Sequence, residues 1–231
     1  MESEFQALEQ RIIACRRCPR LVEWRERVAR EKVRRFKNEE YWGRPVPAFG
    51  LPDSRLIIIG LAPAAHGGNR TGRIFTGDSS GDWLYEALCR FGFANQPTSV
   101  SSDDGLRVHD CLITAAVRCA PPDNKPLPEE MDHCREYLWR ELTLAENRRV
   151  VVALGQIAFR SFLRLWKDMA GLPAETKYEF CHGGKWDLPG GVTLISSYHP
   201  SRQNTQTGKL TRKMLYAAFR QVREIVHEKP E

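Results

Sequence analysis

No apolar run in the 231-residue chain approaches the ~20 residues that a membrane-spanning helix needs. A mean hydropathy of −0.48 agrees, so an integral membrane protein of helical type is excluded. The amino terminus, MESEFQALEQ, lacks the basic-then-apolar pattern of a secretory leader, and a soluble, cytoplasmic chain is expected. There is no internal repeat and no low-complexity tract. Neither GxxxxGK[ST] nor GxGxxG occurs, which removes the Walker A loop and the dinucleotide fingerprint.

What is present is enough apolar material for a packed core, at 42% of residues, with 28% charged. Lys and Arg number 35 against 29 Asp and Glu, a difference of +6, and the sequence pI is near 9.0. That balance sits at the edge of what a nucleic-acid partner implies, and a basic enzyme without a polyanion partner fits charge alone equally well. Seven cysteines make an odd number. In a reducing compartment clustered cysteines read as ligands or a nucleophile rather than as disulfides.

Apolar runs and helical periods alternate along the chain. Leu56–Ile59, Cys111–Val117, Val150–Leu154 and Val192–Ser197 read as buried strands. Between and after them, Asp82–Phe91, Leu127–Leu144, a segment running through Lys167, and Leu210–His227 read as helices. Ahead of the first strand, CRRCPRLVEWRERVAREKVRRFK predicts a helix with a narrow apolar stripe of Leu21, Trp24 and Val28 and a basic outer face. Strand–loop–helix repeated four times predicts a single α/β domain, a three-layer α/β/α sandwich around a four-stranded, mostly parallel sheet. In such sheets the site lies beyond the carboxyl ends of the strands. That rule selects three loops, 60–78, 118–125 and 198–211.

The first loop, GLAPAAHGGNRTGRIFTGD, is glycine-rich, holds one Phe and ends on one acid ahead of a helix. Glycines admit close backbone approach, and loops this long are uncommon unless functional; turn glycines on a surface loop are the alternative. The last, YHPSRQNTQTGKLT, places His199 directly after a strand. Arg202 and Lys209 there could meet phosphates, while a capped loop with a structural histidine is the competing reading. Cys15 and Cys18 form a CxxC, with Cys119 and Cys134 far along the chain. Four thiolates suit zinc or an iron–sulfur cluster, and prolines after Cys18 and Cys119 lean towards iron–sulfur. Cys89, Cys111 and Cys181 read as small core hydrophobes.

Together, GLAPAAHGGNRTGRIFTGD, HPSRQNTQTGKLT and the split cysteine set resemble the family 5 uracil-DNA glycosylases over nearly the whole chain. The resemblance implies a 4Fe–4S cluster held by Cys15, Cys18, Cys119 and Cys134, which ties segment 1–45 into the domain. It implies a monofunctional enzyme that removes uracil, and other deaminated bases such as hypoxanthine, from double-stranded DNA. A monomer with no membrane association is expected.

Excision requires flipping the nucleotide out, at a cost of a few kcal/mol that a pocket must recover. Phe75 is the expected stacking platform, with Gly60, Ala64, Ser201, Arg202 and Lys209 completing the substrate-binding set. His199 suits a hydrogen-bond donor to the leaving base, whose bond breaks through an oxocarbenium-like state. Better known relatives place Asp or Glu just after the opening glycine; here Leu61 and Ala62 stand there. Asp78 is therefore the candidate catalytic carboxylate, with a helix N-cap as its alternative role. Four-cysteine relatives carry Asn in the middle of the second strand, where this chain has Ala115 and Ala116. Asn124 is the candidate replacement, and His66, Asn69 and Arg73 are plausible helpers. The competing readings are a narrower family 4-type, uracil-specific enzyme and a non-catalytic iron–sulfur nucleic-acid-binding protein.

Overall fold

In the computed structural model, which describes residues 2–173 and 175–227, the four apolar runs form the parallel centre of one sheet. The remaining residues of the expected 1–231 domain lie outside that range. The four central strands, β2 (Leu56–Gly60), β3 (Cys111–Ala115), β4 (Val150–Leu154) and β6 (Val192–Ser197), are buried along their whole length. Burial on both faces is why they read as continuous apolar runs rather than alternating ones. Two antiparallel edge strands, β1 (Phe49–Gly50) and β5 (Lys185–Leu188), extend the sheet to six in the order β1-β3-β2-β4-β6-β5. The expected four-strand count is thus corrected. The sequence of β1 is too short to show a period, and Lys185-Trp-Asp-Leu has the mixed polarity of an edge.

Residues alternating along the strands separate the two helical layers. Leu56, Ile58, Val150, Val152 and Ile195 pack with α4 (Ser79–Arg90) and α8 (Arg212–His227) through Leu84, Leu88, Leu215, Phe219 and Val222. Ile57, Ile59, Val151, Ala153 and Leu194 face α5 (Pro128–Leu144) and α6 (Gln156–Ala170) through Leu138, Leu142, Phe159, Phe162 and Trp166. This is the expected three-layer sandwich.

Two helices precede the sheet. The first, α1 (Glu2–Ile13), sets Leu8 and Ile12 against Tyr137 of α5, so apolar packing holds this segment as well. The second, α2 (Pro19–Glu31), departs from its expected stripe: Leu21, Val22, Arg25 and Val28 are buried. Trp24 is only half-buried, with the Arg27 guanidinium 4.9 Å from its ring. A buried arginine inverts the amphipathic reading, and its partners explain why below. Of the three cysteines read as core, Cys111 is buried, Cys89 half-buried and Cys181 exposed. Cys181 sits beside β6, where its carbonyl accepts a hydrogen bond from Ser196.

Candidate active site

The register Gly60↔Ala115 and Leu154↔Ser197 brings the carboxyl ends of the central strands level. The loops leaving them are stitched together: Ala116 N–H donates to the Gly60 carbonyl at 3.0 Å and Val117 N–H to that of Leu61 at 2.9 Å. The loop after β2 then turns through α3 (Gly68–Thr71), whose entry is fixed by the Ala64 carbonyl accepting from the Gly67 and Asn69 amides.

At the far end of this loop stands Phe75, buried and in left-handed backbone with φ of +52°. A non-glycine residue there costs of order 1–3 kcal/mol, and such strain concentrates at functional sites. Two glycines admit the residue. A Cβ on Gly60 would come within 2.8 Å of Phe75 Cζ, and one on Gly81 would strike the Phe75 carbonyl. The Phe75 ring stacks beside His199, centroids 5.9 Å apart and planes 29° apart. The two expected site residues, distant in sequence, therefore meet.

His199 follows β6 and is held from two further sides. Asn204 Nδ2 donates to its carbonyl at 2.8 Å, and Gly155, at the end of β4, leaves only 3.3 Å for a Cβ beside His199 Cβ. Burial alone pushes the imidazole down to about 4, so it is neutral at pH 7 and offers a ring N–H without charge. A pocket lined by Leu61, Gly155, Tyr198, His199, Asn204 and Lys209 opens at this strand end. Ser201 is the N-cap of α7 (Arg202–Gln206), its Oγ accepting from the Asn204 amide at 3.4 Å. Arg202 and Lys209 are exposed, and Lys209 Nζ lies 4.9 Å from the centroid of Tyr198.

Asp78 is an N-cap. Its Oδ1 accepts from Ser80 N at 2.8 Å and Gly81 N at 3.1 Å, while Oδ2 closes over Gly67, which has no room for a Cβ. Burial raises the carboxyl above its ordinary range, opposed by the Gly81 and Ser80 amides. The cap binds through one oxygen, so capping and chemistry are not exclusive. Asn124, by contrast, sits exposed on a turn with φ of +56°, and among the described residues its side chain makes no hydrogen bond to the Phe75–His199 pair.

The three helpers serve the loop itself. Arg73 is buried and bonds Thr76, Ser99 and both oxygens of Asp104 at 2.8–2.9 Å. Asn69 Nδ2 donates to the carbonyls of Arg25 and Ala65, and His66 Nδ1 pairs with the Tyr41 hydroxyl at 3.1 Å. Sequence reasoning missed Gly155, legible as a glycine ending a strand, and Tyr198, which stands beside His199 in the quoted motif.

Cys15, Cys18, Cys119 and Cys134 line one enclosed pocket with Arg118, His133 and Tyr137. Among the described residues no three His, Cys, Asp or Glu are grouped as for a single metal ion. The buried Nε atoms of Arg25 and Arg118 have no hydrogen-bond partner, and Arg25 Nη1 donates to Cys119 Sγ at 2.9 Å. Buried cationic donors beside four thiols are the chemistry an anionic centre would need.

A strained aromatic beside a neutral imidazole, at the carboxyl ends of a parallel sheet, makes this an α/β protein with its candidate site at the strand ends. Residues 47–223 match the family model described as the uracil DNA glycosylase superfamily, and the chain belongs to that superfamily. It is 50% identical to a type-5 uracil-DNA glycosylase of Thermus thermophilus, covering 95% of this chain and 97% of that protein. It is 52% identical to one of Mycobacterium bovis, over 93% and 79% respectively. A type-4 uracil-DNA glycosylase of Pyrobaculum aerophilum is 32% identical over 70% of this chain and 74% of its own length.

Proposed function

We propose that this protein excises uracil from double-stranded DNA by hydrolysing the N-glycosidic bond of a nucleotide turned out of the helix. The observation that carries it is the Phe75 ring, strained over Gly60 and set beside His199 at the strand ends. An aromatic face supplies about 1–3 kcal/mol of stacking to a base, comparable with the unstacking cost. The likeness to type-5 relatives along almost the whole chain supports the same reading.

In the reaction, water oxygen bonds to C1′ as the C1′–N bond breaks, and its electron pair leaves with the base. Neutral His199 donates a hydrogen bond to the base oxygen that gains charge, without itself losing a proton to the ring. Asp78 takes the water proton and stabilises the sugar cation through the oxygen that faces Gly67. Arg202 and Lys209 hold backbone phosphates. Asn124, exposed on the turn after β3, contributes a base contact from the solvent side of the turned-out nucleotide.

The wall beside Gly60 is Ala115, with Ala116 following, and carries no side-chain amide. A pocket without such a donor–acceptor pair rejects other bases weakly, which supports removal of hypoxanthine and related deaminated bases as well. The cysteine set would hold a 4Fe–4S cluster that braces α1–α2 against α5; its chemistry is structural, and no step passes through it.

Incubation with a uracil-containing duplex followed by alkali tests the proposal. Cleavage at the uracil position, absent from a thymine control, is expected. An intact strand would leave a non-catalytic binding module. A hypoxanthine duplex resolves the wider range from the narrow family 4-type one.

A further inference from the structure

Arg25 is buried at 2% exposure in the middle of α2, yet no carboxylate pairs with it among the described residues. Its neighbour Glu26 feels its charge but bonds Arg16 instead. The contrast with Arg118 is instructive: that guanidinium, equally buried, is neutralised by Glu141 at 2.6 Å. Both line or border the cysteine pocket, but only Arg118 brings its own acid.

An uncompensated buried charge is strongly destabilising, so a fold that keeps one holds its counter-charge in something else. The Arg25 fork answers where. Nη1 donates to Cys119 Sγ at 2.9 Å, Nη2 to the Cys15 carbonyl at 3.2 Å, and Nε is buried with no partner. Two of the four cysteines are thus touched by one guanidinium, through a side chain in one case and a carbonyl in the other.

We propose that Arg25 is the counter-charge of the four-cysteine centre, positioning Cys119 and compensating the negative charge of the thiolate-ligated cluster. This rests on the cluster reading above. Arg25 also ties the centre to the pocket loop, because its own carbonyl accepts from Asn69, whose amide group reaches Ala65 as well.

The test compares the iron-loaded wild type with Arg25→Met and Arg25→Lys. Iron and acid-labile sulfide in the wild type establish the centre on their own; a wild type without either overturns the cluster reading and this inference with it. Given a loaded wild type, Arg25→Met should lose its visible absorbance to a chelator about ten- to a hundredfold faster. Its cluster should also reduce at a more negative potential, since a nearby positive charge favours the added electron. Arg25→Lys should recover most of both, because it keeps the charge. A folded Arg25→Met protein with wild-type chelator resistance and potential overturns the assignment. If Arg25→Met does not accumulate, Arg25→Lys carries the comparison: a potential and chelator resistance near those of wild type support it, and loss of the centre despite the retained charge contradicts it.

Discussion

The ring of Phe75 lies across the α-carbon of Gly60, so close that a single added methyl would fall 2.8 Å from Cζ. Gly60→Ala should therefore lift the ring from its seat. Overpacking of this kind costs about 1–3 kcal/mol. Much of that is expected at the pocket rather than in the sheet, because the ring edge is what must move. Substrate affinity should fall with circular dichroism unchanged; an unaltered affinity would show that the ring position is irrelevant to the base.

Phe75 itself separates strain from stacking. Phe75→Gly relieves the left-handed backbone and removes the aromatic face. Thermal stability should fall, because about 1–2 kcal/mol of strain relief is less than the roughly 3–5 kcal/mol that loss of a buried Phe side chain costs. Binding to a uracil duplex should weaken by about 1–3 kcal/mol. Calorimetry and a binding titration on the same variant read the two effects separately.

Burial holds the His199 imidazole at about 4 in the fold, below its ordinary value of 6.5. A depressed histidine contributes stability that is present above pH 6.5 and lost as pH falls through 6.5 towards 4. His199→Asn should flatten the stability profile over that window. Excision should show no histidine limb between pH 6.5 and 8, because the imidazole stays neutral there. A limb near 6.5 that disappears in His199→Asn would contradict this account.

Asp78 is the sharper case, because its carboxyl is raised by burial. A raised acid contributes stability that is present below its unfolded value and lost as pH rises through its folded one. Asp78→Asn keeps the cap and removes the buried charge, so it should be at least as stable as wild type at neutral pH. Single-turnover excision should nevertheless fall at least about 100-fold. Comparable excision in the variant would leave Asp78 as a cap alone.

The sheet was legible because its central strands are buried on both faces and so appear as unbroken apolar runs. The edges were not, since β1 is two residues long and β5 alternates Lys185 and Asp187 with Trp186 and Leu188. The meeting of Phe75 and His199 was foreshadowed by the loops that leave β2 and β6, and the place of Asp78 by the helix that follows it. Arg25 was not: on a basic helix one more arginine looks solvated, and only the arrival of Cys119 from elsewhere in the chain explains its burial. Asn124 rested on a gap left by Ala115 and Ala116, and the turn carrying it faces solvent.

Phosphate contacts by Arg202 and Lys209 should each add about −0.9 to the slope of log affinity against log salt. Lys209→Ala should reduce the slope by that amount without altering preference for uracil over thymine. An unchanged slope would place Lys209 off the backbone, consistent with its contact with Tyr198 alone.

The most direct measurement counts free base and alkali-labile sites together, under single turnover, on a duplex with one uracil. The wild type should release one uracil for each abasic site formed, and Phe75→Ala should do so more slowly with the same stoichiometry. Tight binding of the uracil duplex with neither free base nor abasic sites would contradict the account.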